Sequence, residues 1–244
     1  MADEFNSRGV YVQRSGAREA CDACLAEVTD GLSLMLTLPG SAPFGGRHIV
    51  GVSIMGPLPA QEPSHRSEFK LPFSPAVKAV VKAVCEGEIG SIITGTLGPG
   101  AELCECTVVA AEPGATAQEI HADGEWSAVS PRVFTVFVAL HDVLDETMGP
   151  THYCPETHTP SCFPGGQWLP PSHPQAEART EVWFALRAGD AVLMEQTCWH
   201  YGGANSSESR RTLLCISFVA CGEGHAKRGR TSKARMRLCD LVAA

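Results

Sequence analysis

The chain has 244 residues, 44% hydrophobic and 19% charged, the balance of an ordinary globular domain, which excludes a disordered polypeptide. That length suits one domain, since all-β barrels commonly run to about 200 to 250 residues. The net charge of -8 argues against a general nucleic-acid binder, no apolar run reaches the roughly 18 residues of a membrane-spanning helix, and MADEFNSRG lacks the order of a signal peptide, so a cytoplasmic or other intracellular soluble compartment is expected.

From Gly16 the run GAREACDACLAEVTDGL has apolar and small residues at helical spacing, and the reading is a helix ending near Gly31. Eleven cysteines are scattered and odd in number, so they are read as reduced; Cys21 and Cys24 form a CxxC without a second one to complete a zinc tetrad, and are read as small residues on a helix face. Pro39 to Pro72 is rich in turn-forming residues, with one short strand expected around HIVGVSIM. Next, SPAVKAVVKAVCEGEIG is a second helix: Ser74 caps it, Pro75 suits its first turn, and Val77, Val80, Val81 and Val84 form one apolar stripe.

Beyond that helix the pattern becomes extended. SIITGTL, CECTVVAA, RVFTVFVAL, THYC, TEVWFAL, DAVLMEQ and RTLLCISFV are short β-branched or aromatic runs separated by turn residues. Helices followed by many short strands predict a mainly β fold with flanking helices, in a jelly roll of cupin type. One domain over 1–244 is expected: helical and loop support in 1–100, a jelly-roll core in 101–222 and a basic extension in 223–244, where Lys227 to Arg237 is read as a solvated tail. The segment from Pro155 to Ala178 is too long for a simple hairpin loop.

The chemistry starts at QEIHADGEW, residues 118–126, where His121 and Asp123 stand two apart and would share a strand face. In a jelly roll, a further ligand must come from a distant strand. GDAVLMEQTCWHYGG supplies His200 at a strand end, and two histidines with one carboxylate form the set that suits Fe(II) and leaves positions open. A 2-oxo acid chelating that metal needs a cation for its far carboxylate; Arg210 and Arg211 start the next strand, and alternation allows only one of them to point inward. Taken singly, each ligand has a plainer reading as a satisfied core group; the set together favours metal. Among the other histidines, His141 is read as a turn residue and His158 as structural, with His152 and His173 as competing ligands.

HADGEW, TVFVALHDVLDETMGPTHYCPETH and GDAVLMEQTCWHYGGANSSESRRTLLCISF together resemble the phytanoyl-CoA dioxygenase (PhyH) family of Fe(II)- and 2-oxoglutarate-dependent dioxygenases, over roughly residues 103 to 220. The family pattern is an HxD pair, an acidic-Gly-Pro turn before a Pro-x-x-His strand end, a Gly-Asp turn, and a distal histidine followed eleven residues later by an arginine. The resemblance implies a double-stranded β-helix, His121, Asp123 and His200 as iron ligands, and Arg211 rather than Arg210 on 2-oxoglutarate. It implies Fe(II), 2-oxoglutarate and O2 as cofactor and cosubstrates, and oxidation of a C–H bond in a small-molecule substrate, by hydroxylation or desaturation, with succinate and CO2 as coproducts. Two positions depart from the family: Gly202 stands where some members have serine, and Phe137 is the nearest match to an aromatic on the strand after HxD. Thr135 and Phe137 are therefore the expected additional cosubstrate contacts, with Gln118 and Trp126 facing the substrate. A cupin-type zinc or manganese hydrolase or isomerase, and a non-catalytic jelly-roll binding protein, are the alternatives.

Overall fold

The computed structural model describes residues 1–14, 17–37, 65–71, 73–174, 176, 179–222 and 236–243. The chain opens with helix α1 (Ala2–Arg8), strand β1 (Val10–Gln13), helix α2 (Arg18–Thr37), strand β2 (Arg66–Lys70) and helices α3 (Pro75–Cys85) and α4 (Glu88–Leu97). Strands β3 (Glu102–Ala111), β4 (Val133–Ala139), β5 (Thr151–Cys154), β6 (Ala191–Glu195), β7 (Trp199–Gly202), β8 (Arg211–Val219) and β9 (Met236–Arg237) follow, and helix α5 (Leu238–Ala243) ends the described chain. The larger sheet runs β1-β6-β4-β8-β3-β2, with β9 also pairing β3; β5 and β7 form the smaller one. All these pairings are antiparallel. This is a mainly β, cupin-like double-stranded β-helix with flanking helices.

The two faces of the larger sheet follow from strand alternation. Phe134, Val136 and Val138 of β4 and Leu214, Ile216 and Phe218 of β8 point outward and pack under the helices. Phe137, Ala139, Leu213 and Cys215 point inward, where they meet Tyr153 of β5. The helical layer forms as its sequence dictates. Ser74 Oγ accepts a hydrogen bond from the Val77 amide, Pro75 opens α3, and the four-valine stripe is buried. Each buried valine contributes roughly 1.5–3 kcal/mol, well beyond the cost of about 0.7 kcal/mol or less of a β-branched residue in a helix. Cys21 and Cys24 are free thiols in the same core, the packing role expected of them.

Several expectations are corrected. Helix α2 does not stop at Gly31 but continues to Thr37; one glycine costs about 1 kcal/mol in a helix, and the LSLMLT that follows favours continuation. SIITGTL belongs to α4, because Ile89, Ile92 and Ile93 bury at helical rather than alternating spacing. TEVWFAL forms no strand: Val182 bridges Tyr153 and Leu186 bridges Val143 as isolated contacts, so the segment crosses between partners instead of running along one. The sheet also reaches outside residues 101–222, since β1 and β2 join it from the N-terminal part. At the other end β9 pairs with β3, and Leu238 and Leu241 enter the helical core, so the last residues dock instead of trailing in solvent. The strand expected around HIVGVSIM, and Lys227 to Arg235 of the basic segment, lie outside the described residues.

The long segment after β5 is pinned down. Phe163 and Trp168 pack with Cys154 and Trp199 in a third cluster. The Trp168 indole donates to the Thr157 carbonyl (2.8 Å) and the Trp199 indole to the Leu169 carbonyl (3.0 Å). Ala122, between His121 and Asp123, packs against this cluster.

Candidate metal centre

Strand β7 and the irregular segment before β4 exchange two backbone hydrogen bonds at the site: His121 N–H to His200 O (2.9 Å) and His200 N–H to His121 O (2.8 Å). This bridge sets the two imidazoles side by side, with ring centroids 4.4 Å apart. His121 therefore lies in an isolated bridge rather than in the regular strand expected for it. Asp123 Oδ1 is 3.8 Å from His200 Nε2. One donor atom from each of His121, Asp123 and His200 lies within 4.8 Å of the others, the only such group of three or more His, Cys, Asp or Glu among the described residues. His141, His152, His158 and His173 do not join it. His158 reaches the Asn6 carbonyl of α1 through Nε2 (3.1 Å) and His141 Nε2 accepts from the Thr212 amide (2.9 Å), both structural contacts.

The protonation pattern fits a metal. His121 Nδ1 lies 2.9 Å from the Glu119 carbonyl and His200 Nδ1 lies 3.0 Å from the Cys198 carbonyl. A carbonyl can only accept, so each ring carries its proton on Nδ1 and presents the Nε2 lone pair; such contacts to the non-ligating nitrogen fix orientation and tautomer. Burial pushes His200 below the usual histidine pKa, with Asp123 opposing and His121 adding to the effect, so its ring is neutral at neutral pH, as ligation requires. His200 is deeply buried, whereas the Asp123 side chain is 32% exposed, so the cluster opens on the aspartate side.

Arg211 starts β8 facing inward and is 1% exposed, while Arg210 faces out and pairs with Glu112. Its Nε donates to the Gly149 carbonyl (3.0 Å), and burial pushes its pKa down to about 10. No acidic side chain among the described residues pairs with it. A buried cation without a counter-charge is costly, and Arg211 lines a cavity with Thr151, Tyr153, Phe184, Val192 and Leu213. An anionic ligand end would balance it.

The remaining expected residues separate by position. Phe137 is beside the cluster, its ring 6.2 Å from that of His200. Thr135 faces inward as well, but it pairs with Ser217, six residues along β8 from Arg211, and its hydroxyl bonds that of Ser217 (3.0 Å). At about 3.4 Å per residue this is roughly 20 Å from the start of β8, and Thr135 does not line the arginine cavity. Gln118 accepts from the Gly202 amide through Oε1 (2.8 Å), tying its segment to β7, and Trp126, three residues after Asp123 in the chain, is 38% exposed.

Two residues carry no sequence signal of a role. Tyr153 enters the arginine cavity from β5. Arg66 of β2 shares an inner-face row with Arg211, since both pair with Ala111 of β3. It donates to the backbone carbonyls of Thr116, Gly202 and Gly203. A Cβ at Gly202 would stand 2.7 Å from Arg66 Nη1, so the guanidinium takes the space a side chain at position 202 would need. Burial, helped by Arg211, pushes the Arg66 pKa down to about 10. Arg66 lies in a Pro- and Gly-rich stretch without a motif, and Tyr153 is one aromatic in a short strand; only register reveals either.

A family model described as phytanoyl-CoA dioxygenase (PhyH) matches residues 58–213. Among solved structures, the chain is similar to the epimerase SnoN in complex with Fe3+, alpha ketoglutarate and nogalamycin RO: TM-score 0.65, 18% identity, covering 90% of this chain and 82% of that one. It is also similar to AviO1 from Streptomyces viridochromogenes Tue57, with TM-score 0.64 and 17% identity over 93% of this chain and 96% of that one. A third is the non-heme monooxygenase ThoJ in its nickel complex, with TM-score 0.62 and 16% identity over 97% and 82%. At these identities the structural likenesses establish the fold.

Proposed function

The chain belongs to the phytanoyl-CoA dioxygenase family and is an oxidoreductase dependent on iron and 2-oxoglutarate, and from that premise we propose that it hydroxylates, or otherwise oxidises, an unactivated C–H bond of a small-molecule metabolite. The observation that carries this reading is the pairing, inside one barrel, of an open-sided two-histidine, one-carboxylate set with a buried guanidinium that no acidic side chain among the described residues neutralises. Iron, 2-oxoglutarate and O2 supply, when bound, the oxidising power, with succinate and CO2 as coproducts.

The protein's own residues position and shield. His121 and His200 offer Nε2, and Asp123 offers a carboxylate on the open side. Arg211 anchors the far carboxylate of the 2-oxo acid through paired N–H donors, a fork that lysine cannot reproduce. Phe137, Val192 and Leu213 keep the wall between these groups apolar and water-poor. The exposure of Trp126 and of the Asp123 side chain supports a substrate approach from the side of residues 119–126. The similar structure of SnoN is a complex with nogalamycin RO, and that precedent supports a small organic substrate here over a macromolecular one.

The test is Fe(II)-dependent formation of succinate from 2-oxoglutarate by the purified protein. Asp123→Ala is expected to lower it by at least about a hundredfold, since even outer-shell changes at metal sites cost 10- to 100-fold. Succinate formation unchanged in Asp123→Ala would overturn the assignment.

A further inference from the structure

The segment that carries His121 and Asp123 runs beside β7 without forming a regular ladder. Gly114 and Ala115 meet Asn205 through backbone hydrogen bonds, and beyond them the contacts come at every third residue: Gln118 with Gly202, His121 with His200 and Gly124 with Gln196. A regular antiparallel strand would be bonded at every second one. Carbonyls that fall between these contacts need other donors.

For Thr116 those donors come from β2. Arg66 pairs with Ala111, the last residue of β3, so it stands where the chain leaves the larger sheet for this segment. Its Nε (3.2 Å) and Nη2 (3.0 Å) donate to the Thr116 carbonyl, and Nη2 donates as well to the carbonyls of Gly202 (3.2 Å) and Gly203. One guanidinium thereby joins the ligand-bearing segment to the end of the strand that carries His200. The Gly202 carbonyl also accepts from the Gln118 amide (2.9 Å), so both bonds lock the same point of β7. Hydrogen bonds from a charged donor are roughly twice as strong as neutral ones, and the planar guanidinium offers its donors in a fixed fork. Glycine at 202 leaves the room for this arrangement, because a Cβ there would lie 2.7 Å from both Arg66 Nη1 and Gln118 Oε1.

We propose that Arg66 is a positioning residue of the metal centre: by clasping the segment at Thr116 to the end of β7, it sets His121 and Asp123 at the right distance from His200 before metal binds. This rests on the proposed function, which makes those three residues the metal ligands. Beyond the ligands the segment is held by the Gly124 amide, at 3.2 Å from the Gln196 carbonyl, and by the packing of Ala122, so loss of the clasp frees the near end of the segment.

The experiment is calorimetric titration of the metal-free protein with Mn(II), without 2-oxoglutarate, paired with the visible absorption of the Co(II)-loaded protein, whose bands report coordination geometry. Arg66→Met keeps an unbranched apolar stem and removes every donor. It is expected to weaken Mn(II) binding about 10- to 100-fold, the range for groups that orient metal ligands without touching the metal, and to change the Co(II) bands. Ser74→Ala, on α3, loosens the fold without touching the segment and is expected to keep wild-type affinity and bands. Wild-type affinity or wild-type bands in Arg66→Met overturns the proposal, and so does an equal loss in both variants, which would make Arg66 a merely structural residue. Should Arg66→Met fail to fold, Gly202→Ala takes its place, its Cβ displacing the guanidinium. Mn(II) binding weaker by about threefold or more is then expected, the scale of one net hydrogen bond, and unchanged affinity overturns the proposal. A wild-type protein that binds no Mn(II) contradicts the proposed function itself, an outcome separate from every result with the variants.

Discussion

Each ligand histidine is held by the same local device, a Nδ1–H donated to the carbonyl two residues earlier in the chain, Glu119 for His121 and Cys198 for His200. The device needs no distant partner, so His121 and His200, with Asp123, could be nominated from residue type and spacing, and the family resemblance then assigned the set to iron. For Arg211, strand alternation said only that one of two adjacent arginines points inward, and the family spacing chose between them; its neighbour Arg210 pairs on the outside with Glu112. Tyr153 and Arg66 were not legible, because their placement depends on which strand pairs with which. Two outcomes are expected at this scale. Asp123→Ala lowers Mn(II) affinity by at least about tenfold, checked by calorimetry on the metal-free protein, since it removes one of three protein ligands. Arg211→Lys raises the dissociation constant for 2-oxoglutarate by about tenfold or more while leaving metal affinity unchanged, because a point charge replaces a fork that can bond a carboxylate twice.

Between residue and fold, the turn before β5 is the element on which the site most depends. Gly149 has φ +69°, and a Cβ there would lie 2.6 Å from the Gly203 carbonyl, which is backbone and cannot swing away; its own carbonyl receives the Arg211 Nε–H. Gly149→Ala is therefore expected to destabilise the protein by about 1–3 kcal/mol from backbone strain alone, and to weaken 2-oxoglutarate binding as Arg211 loses its anchor. Urea denaturation and ligand titration read the two effects separately. In contrast, Ser74→Ala removes the cap of α3 and is expected to cost about 1 kcal/mol with 2-oxoglutarate affinity unchanged, since α3 packs on the outer face of the sheet. The α3 cap and stripe could be read directly from SPAVKAVVKAV, where cap, proline and periodicity agree. SIITGTL could not: isoleucine and threonine favour strands, and burial against the helical core overrode that preference.

At the scale of the molecule, a run of short strands after helices pointed to the jelly roll, but not to the N-terminal strands that close its larger sheet. β1 is four residues and β2 carries Arg, Ser, Glu and Lys, so neither shows apolar alternation, and only pairing with β6 and β3 makes them strands. The assembled barrel also buries titratable groups. Burial lowers the pKa of both His141 and His158, so the unfolded chain takes up these protons at a higher pH than the folded one. The full stability is then present above the unfolded value of about 6.5, and it declines as pH falls below that value because the unfolded state binds more protons. Thermal denaturation of the metal-free protein between pH 7.5 and 5.5 is expected to show a falling midpoint, with a shallower fall in a His141→Asn, His158→Asn double variant; a midpoint that rises as pH falls would contradict it.

In the proposed function, one interior holds iron through His121, Asp123 and His200 and 2-oxoglutarate through Arg211. Anaerobic titration of the Fe(II)-loaded protein with 2-oxoglutarate tests it most directly. A weak metal-to-ligand charge-transfer band that grows to saturation is expected in the wild type, with much more 2-oxoglutarate required in Arg211→Lys. A wild-type protein that binds Fe(II) but develops no such band at saturating 2-oxoglutarate contradicts the account and favours a metal-dependent hydrolase or isomerase on the same ligands.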